Sequence, residues 1–141
     1  MLELDKGLYD EMVEHGLREF PNEACGLLAG KEGRAVRYFS LTNADASPAT
    51  FRLDPVEHHR VHTELDQQGW DLLGIFHTHT HSGPYPSATD RRRAMWQDTE
   101  EPSYPDAYYL IMSLADRASP ELRAFRIGAE QAVIEEELTI A

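Results

Sequence analysis

The sequence predicts an α/β fold in which helices pack on a mixed β-sheet. Helix-like and strand-like segments alternate early in the chain, and strand-like segments dominate late in it. No internal repeat, low-complexity tract or linker separates these segments. A chain of 141 residues is also the size of one domain with one hydrophobic core, so we expect residues 1–141 to form a single domain.

The first predicted element is a helix, and strands follow it. Apolar residues recur at helical spacing from Leu8 to Phe20, Asp5 can act as the N-cap, and Pro21 ends the helix. The segment "CGLLAG" is then typical of a buried strand. After a turn near Gly33, "AVRYFSL" predicts a second strand and "ATFRL" a short third strand.

The second predicted helix has signals at both ends. Asp54 can cap it, Pro55 suits the first helical position, and Glu57 stands where a capping-box acid reaches back. Gly69 is expected to end this helix after Gln68.

The later segments predict one more helix and a group of strands. "DLLGIF" predicts a short apolar strand that leads directly into His77. A helix is expected to start at Ser87 and to cover "ATDRRRAMWQ". "AYYLIMSL" is the most hydrophobic run and predicts a central strand, while "ELRAFRI" and "QAVIEEEL" predict a hairpin around Gly128.

Composition narrows the classes of function. The formal net charge of −12 repels nucleic acid and anionic lipid, so neither is an expected partner. No apolar run approaches the roughly 20 residues of a membrane span, and the first residues lack the pattern of a signal peptide. Because Cys25 is the only cysteine, no internal disulfide can form, and we expect a cytoplasmic location. The basic cluster Arg91–Arg93 is typical of a solvated face near a helix start.

The "HTH" triplet after the apolar strand predicts a metal site. Alternate residues of a strand point to the same face about 6.6 Å apart, so His77 and His79 can direct both imidazoles toward one point. Zinc accepts imidazole nitrogen and prefers four ligands in a tetrahedron. Asp90 is the natural third ligand, because a helix that starts at Ser87 would hold it rigidly in the first turn. A water in the fourth position would make the site catalytic rather than structural.

Both parts of this motif also have simpler interpretations. A serine followed three residues later by an acid, as in "SATD", is a capping box that opens many helices. The two interpretations are compatible for Ser87, because a capping serine can still lend its hydroxyl to a site. Two histidines at the end of a strand can likewise be exposed loop residues.

The order of these residues resembles the JAMM signature of the MPN+ metalloprotease family. "HTH", seven residues, "S", two residues and "D" follow one another with every spacing of that signature intact. Upstream, "PNEACGLLAG" resembles the family's glutamate segment and "TNADASPATFRLDP" its connecting region, and "DAYYLIMSL" and "ELRAFRI" resemble the strands after the metal helix. The resemblance covers nearly the whole chain and is greatest to short bacterial members that act on ubiquitin-like sulfur-carrier proteins.

The resemblance implies a fold and an activity. The fold is the three-layer, cytidine-deaminase-like JAMM/MPN α/β domain, a mixed β-sheet flanked by helices. His77, His79 and Asp90 would bind one Zn²⁺ per chain, Glu23 would be the general base, and Ser87 would help to stabilise the oxyanion. The protein would be a zinc metallopeptidase or isopeptidase that cleaves an amide bond after the C-terminal Gly-Gly of a ubiquitin-like or sulfur-carrier protein, for example in a carrier–cysteine adduct.

One position departs from the usual family pattern. Many relatives have proline directly after the second histidine, where this chain has Thr80 and then His81. The short bacterial members also lack that proline, so the departure is a feature of this subgroup. His81 continues the strand alternation, but the spacing to Asp90 favours His77 and His79 as ligands. We expect His81 to face solvent or to support a ligand.

Other residues and other functions are weaker candidates. His58 and His62 also have a metal-binding spacing, but the acid that a zinc-protease helix carries between them is missing, so a solvated helix face is preferred. Cys25 opens an apolar strand and is expected to be buried and inert rather than a nucleophile. A non-catalytic MPN-type scaffold is the alternative function, although such proteins have typically lost metal ligands. A zinc nucleoside deaminase is excluded because it needs a Cys-x-x-Cys pair.

Overall fold

A computed structural model describes residues 1–141 as eight strands and three α-helices, with one short 3₁₀ turn at residues 129–131. In chain order the elements are β1 (Leu2–Leu4), α1 (Lys6–Glu19), β2 (Cys25–Lys31), β3 (Arg34–Leu41), α2 (Pro55–Gln68), β4 (Asp71–His79), α3 (Ala88–Arg93), β5 (Tyr108–Ser113), β6 (Glu121–Ile127), β7 (Val133–Glu136) and β8 (Leu138–Ile140). None of the helices combines the length and the apolar character needed to cross a bilayer.

All eight strands belong to one sheet with the spatial order β7-β6-β5-β4-β2-β3-β1-β8. β4 runs parallel to β5, and β1 runs parallel to both β3 and β8. The other neighbouring strands are antiparallel. The mixed sheet expected from the sequence is therefore confirmed.

The two faces of the sheet form two separate hydrophobic cores rather than the one core expected from the chain length, because helices cover the sheet on both faces. One core contains Met12 of α1, and the other contains Val61 and Leu65 of α2. Because successive residues of a strand point to opposite faces, Phe76 belongs to the first core and Ile75 to the second. The result is the predicted three-layer arrangement, with the sheet between helices.

The two long helices begin and end where the sequence predicted. Asp5 and Asp54 each accept a hydrogen bond from a backbone N–H of the first turn. Gly69 ends α2 with a left-handed backbone (φ 69°), which glycine adopts without steric cost. One detail was wrong: Glu57 does not reach back to complete a capping box, because its carboxylate accepts hydrogen bonds from the backbone N–H and the hydroxyl of Thr42.

The predicted strand "ATFRL" is not formed. The side chain of Asn43 occupies the hydrogen-bonding groups of this segment, since its Oδ1 accepts from the N–H of Arg52 and its Nδ2 donates to the carbonyl of Thr50. Leu53 makes an isolated bridge with Asn43 and nothing more regular. Hydrogen bonds to the Asn43 side chain thus take the place of those that a neighbouring strand would have made.

The third helix is shorter than predicted. It ends at Arg93 and does not continue through "MWQ". The carbonyl of Ala94 accepts hydrogen bonds from both the N–H and the hydroxyl of Ser103, and the N–H of Trp96 donates to Glu101. These bonds to the following loop replace the next helical turn.

The ends of the chain bring the two edges of the sheet together. The predicted hairpin around Gly128 is confirmed as the antiparallel pair β6–β7. Only Glu137 then separates β7, on one edge, from β8, on the other edge beside β1. Because one residue spans only a few ångströms, the sheet must curl strongly. The three-residue strands β1 and β8 were not predicted.

Candidate functional site

The three predicted metal ligands meet at the carboxyl end of β4. His77 and His79 point to the same face of this strand, and Asp90 lies in the first turn of α3. The Nε2 atoms of His77 and His79 are 3.1 and 2.9 Å from Asp90 Oδ2. The two Nε2 atoms are 3.2 Å from each other. Three side chains from two elements therefore direct one ligand atom each at a common point.

These separations fit a zinc ion. Ligands about 2.0–2.1 Å from zinc lie roughly 3.3–3.4 Å apart at the corners of a tetrahedron, slightly more than the observed separations. Two imidazole nitrogens and one carboxylate oxygen are the donor types of catalytic zinc sites, which keep a further position for water or substrate. The residues present therefore suit the metal that the family resemblance implies.

Neighbouring groups hold the two imidazoles in place. His79 Nδ1 lies 2.8 Å from the carbonyl oxygen of Gly83. A carbonyl can only accept, so Nδ1 carries the proton and the lone pair of Nε2 faces the site. The ring of His77 stacks on Phe51, with 4.3 Å between the ring centroids. His77 Nδ1 is buried without a hydrogen-bond partner.

Burial and mutual contacts set the charges of the ligands. Burial disfavours the charged form of Asp90, but its contacts with His77 and His79 outweigh burial and hold the Asp90 pKa well below its usual range. Burial lowers the pKa of His77, which keeps that imidazole neutral. Burial also acts against charge on His79, but its contacts with Asp90 and Gly83 raise the His79 pKa overall. Asp90 thus carries a fixed negative charge, which favours positive charge at the site, either on His79 or on a bound cation.

Ser87 acts as the N-cap of α3. Its Oγ accepts a hydrogen bond from the N–H of Asp90, and its own N–H donates to Asp90 Oδ2, both at 3.0 Å. The capping-box interpretation is therefore confirmed, and the same carboxylate faces the two histidines. Because Oγ accepts in this contact, its O–H proton remains free to donate. Ser87 is exposed, so that proton can reach a substrate.

Glu23 lies just before β2 and is 4% exposed. Its Oε1 is buried and has no hydrogen-bond partner. Burial raises the pKa of Glu23 to about 8, and the charges of His79 and Asp90 also act on it. Glu23 precedes Ala24, whose carbonyl accepts from the N–H of Thr78, so it lies next to the end of β4 that carries the two histidines, with one carboxyl oxygen unpaired. A group with these properties is suited to taking up a proton.

Thr78 connects the Glu23 segment to the ligand strand. Its Oγ1 accepts a hydrogen bond from the N–H of Ala24 at 2.8 Å, and its N–H donates to the carbonyl of Ala24 at 3.1 Å. Sequence reasoning missed this residue. Strand alternation could have identified it. If His77 and His79 point to one face of β4, Thr78 must point to the other face, and its hydroxyl, once buried there, needs a hydrogen-bond partner.

A mainly apolar cavity of ≈ 250 Å³ adjoins the metal ligands. Its lining includes His77 and Asp90 together with Phe51, Leu53, Tyr104 and Arg93. The guanidinium of Arg93 donates to Asp45 at 2.7 Å, which fixes its position. An apolar pocket thus lies directly beside two of the predicted metal ligands.

Other residues considered from the sequence lie outside this cluster. His81 is exposed, as expected, and its ring lies 6.1 Å from that of Phe20. Cys25 is buried, as the sequence predicted, and burial raises the pKa of its thiol to about 12, which disfavours the reactive thiolate. His58 and His62 are on α2 and contact each other rather than the predicted ligands.

Comparison with protein families gives a match over most of the chain. Residues 5–128 match the model for prokaryotic homologs of the JAB domain. The chain is 40% identical to the CysO-cysteine peptidase of Mycobacterium tuberculosis, over 94% of this chain and 86% of that protein. It is 38% identical to the desampylase of Haloferax volcanii, over 66% of this chain and 63% of that protein. It is 36% identical to a probable TtuB-protein conjugate cleaving protease of Thermus thermophilus, over 69% of this chain and 66% of that protein.

Solved structures share the fold. A protein of Desulfitobacterium hafniense, solved in solution, superposes with a TM-score of 0.85 at 36% identity, over 100% of this chain and 93% of that one. A JAB1/MPN domain protein of Archaeoglobus fulgidus gives a TM-score of 0.59 at 18% identity, over 100% of this chain and 97% of that one. At that identity the second similarity shows the fold alone. The predicted JAMM/MPN architecture is confirmed.

Proposed function

Since the chain belongs to the family of prokaryotic homologs of the JAB domain, we propose that it is a zinc-dependent JAMM-type peptidase acting on carrier-protein conjugates. It hydrolyses the amide bond after the C-terminal Gly-Gly of a ubiquitin-like or sulfur-carrier protein. The observation that carries this proposal is the convergence of His77 Nε2, His79 Nε2 and Asp90 Oδ2 within 3.2 Å of one another. The 40% identity to a CysO-cysteine peptidase supports it.

His77, His79 and Asp90 hold one zinc ion in this proposal. When bound, zinc lowers the pKa of a water toward about 7 and polarises a substrate carbonyl. The protein's own contribution is to fix the ligands before the ion arrives. The Gly83 carbonyl sets the tautomer of His79, and the Ser87 N–H orients the carboxylate of Asp90.

Glu23 moves the protons of the reaction. Its unpaired Oε1 accepts a proton from the attacking water, and the same oxygen then delivers that proton to the departing amine. The Glu23 pKa of about 8 arises mainly from burial. With zinc bound by His77, His79 and Asp90, the Glu23 pKa would be lower, because nearby positive charge favours the carboxylate form.

Ser87 stabilises the negative charge that develops on the substrate carbonyl oxygen. Its O–H proton is free because the hydroxyl oxygen already serves as acceptor in the helix cap. One donor of this kind contributes about 3 kcal/mol to the transition state.

The carrier tail is proposed to bind in extended form beside the sheet and to use main-chain hydrogen bonds. The leaving group is proposed to be small, such as cysteine, because no long insertion between the elements of residues 1–141 is available to grip a second ubiquitin-like protein. The apolar cavity beside His77 and Asp90 gives such a group a place next to the scissile bond.

Mass spectrometry of a carrier–cysteine adduct tests the activity. After incubation with zinc-loaded protein, the carrier is expected to have lost the mass of one cysteine residue. Glu23→Gln is the matched control, since it removes the base and preserves the side-chain volume. An adduct that stays intact with zinc-loaded wild-type protein contradicts the proposal.

Elemental analysis tests the ligand assignment separately. Asp90→Asn is expected to lose stoichiometric zinc, because a neutral amide replaces the anionic ligand. An Asp90→Asn protein that keeps one zinc per chain would show that the ion is held elsewhere. A non-catalytic scaffold would instead show no change in cellular phenotype when Glu23 is replaced by Gln. The three predicted metal ligands, which such scaffolds have typically lost, are all present here.

A further inference from the structure

A pair of histidines on α2 forms a second, separate cluster of potential ligand atoms. His58 and His62 stand one helical turn apart and are both half-buried. Their Nε2 atoms are 2.9 Å apart, and their ring centroids are 4.7 Å apart. The sequence favoured a solvated helix face for these residues. The structure instead turns the same nitrogen of each ring toward the other.

A third polar atom lies next to this pair. The hydroxyl oxygen of Tyr104, in the loop between α3 and β5, is 3.4 Å from His58 Nε2. His62 also lines a groove that contains the carboxylates of Asp66 and Asp106. Two imidazoles, a hydroxyl and nearby negative charge thus occur together, in a chain whose formal net charge is −12. A cation is attracted to such surroundings.

The geometry of the pair suits chelation. Histidines at positions i and i+4 of a helix lie on one face and can share an ion. Two nitrogens each about 2.1 Å from an ion, at about a right angle, are roughly 3.0 Å apart, which is close to the observed separation. A right angle between ligands is typical of the octahedral and square-planar sites that Ni²⁺ and Cu²⁺ prefer.

We propose that His58 and His62 form a second divalent-metal site, selective for late transition metals such as Ni²⁺ or Cu²⁺, with water and the Tyr104 hydroxyl on its open side. None of its residues is a ligand of the catalytic site, which consists of His77, His79 and Asp90. The bound ion ties α2 to the loop that carries Tyr104. Because Tyr104 also lines the cavity beside the catalytic ligands, this site stabilises one wall of that cavity.

Equilibrium dialysis of the zinc-loaded, tag-free protein against Ni²⁺ tests the site, with both metals measured by elemental analysis. Wild-type protein is expected to retain its zinc and to bind one further nickel ion per chain. His62→Gln is expected to lose that nickel or to weaken its binding by about tenfold or more. His59→Gln is the matched control, because His59 is an exposed neighbour on the same helix and has no histidine partner. It should bind nickel as the wild type does.

Two results would overturn the proposal. One is a wild-type protein that takes up nickel only as it loses zinc, and the other is a His62→Gln protein that binds nickel as tightly as wild type. If His62→Gln fails to fold, imidazole NMR signals of the zinc-loaded wild type provide the test. Paramagnetic Ni²⁺ should broaden the signals of His58 and His62 first, and broadening that spares both of them would equally refute the site.

Discussion

Two buried polar atoms at the predicted metal site have no partner within the protein. They are Oε1 of Glu23 and Nδ1 of His77. Leaving a buried polar atom unpaired costs about 1–3 kcal/mol, so folded proteins contain few of them. The proposed role of Glu23 as general base accounts for its unpaired oxygen, because a proton acceptor must keep a lone pair available.

Glu23→Gln is predicted to keep zinc but to lose turnover of the carrier adduct. The three metal ligands are unchanged, whereas a positioned general base accounts for about 10²- to 10⁴-fold in rate. Zinc content by elemental analysis and kcat on the adduct measure the two effects. A variant that retains wild-type kcat would show that another group accepts the proton.

The raised pKa of Glu23 also predicts a pH effect on the chelator-treated, metal-free protein. Between the ordinary value of 4.5 and about 8, the folded protein retains a proton that the unfolded chain has released. The free energy of unfolding should therefore fall as the pH rises through this interval. Glu23→Gln removes this contribution. Urea unfolding at pH 5 and pH 8 measures it, and an equal change in both proteins would contradict the prediction.

At the scale of elements, the short helix α3 depends on its first turn. Its six residues are too few to form a stable helix in isolation. The capping box between Ser87 and Asp90 satisfies first-turn N–H groups, and the negative charge of Asp90 lies near the positive end of the helix. The capping box that starts the helix therefore also holds the predicted metal ligand Asp90 in position.

Ser87→Ala is predicted to reduce both stability and activity, whereas Ser87→Thr should preserve both. Loss of the cap costs about 0.5–2 kcal/mol, and loss of an oxyanion donor costs about 10²–10³ in kcat. Chemical denaturation and adduct turnover measure the two effects independently. If Ser87→Ala loses stability but keeps its kcat, the serine acts only as a helix cap.

Thr78→Val tests the connection between β2 and β4. Valine keeps the methyl group and the volume of threonine but removes the oxygen that accepts from the buried N–H of Ala24. An unpaired buried N–H should cost about 1–3 kcal/mol of stability. Since Glu23 precedes Ala24, kcat should also fall while zinc content stays unchanged. Thr78→Ser is the control, because it keeps the hydroxyl and should remain active. A Thr78→Val protein with the kcat of the wild type would exclude a role for Thr78 in positioning Glu23.

At the scale of the whole molecule, the proposed site joins separate parts of the chain. Glu23 precedes β2, the two histidines end β4, and Asp90 begins α3. A ligand that binds only the folded protein stabilises it, by about 2.7 kcal/mol at a free concentration of 100 times Kd. A metal ion here should therefore raise the stability of the entire fold.

Chelation of the metal is predicted to lower the Tm, and added Zn²⁺ should restore it. Mg²⁺ should not, because it requires oxygen ligands and this site offers two nitrogens. Differential scanning calorimetry with each ion provides the measurement, and Asp90→Asn is the control that should not respond to zinc. A Tm that is the same with and without zinc in wild-type protein would contradict a folded-state metal site.

Local patterns account for the parts of the fold that the sequence predicted. The long helices have capping residues at their starts, and the strands β2, β4 and β5 are apolar runs that fill both cores. The incorrect predictions concern segments whose structure depends on hydrogen bonds to residues outside the segment. Asn43 took the hydrogen bonds of the "ATFRL" segment, and Ser103 ended the third helix. The residue pattern of a segment gives no information about such hydrogen-bond partners elsewhere in the chain.

The sequence by itself determined which residues could bind a metal, because the period of a strand and the first turn of a helix fix the directions of His77, His79 and Asp90. Only the tertiary structure decided that these three ligand atoms converge, that a buried carboxyl from Glu23 lies beside them, and that the two outer edges of the sheet come together. Convergence depends on contacts between segments far apart in the chain. Such contacts are set by packing of the whole sheet and its helices rather than by any local sequence.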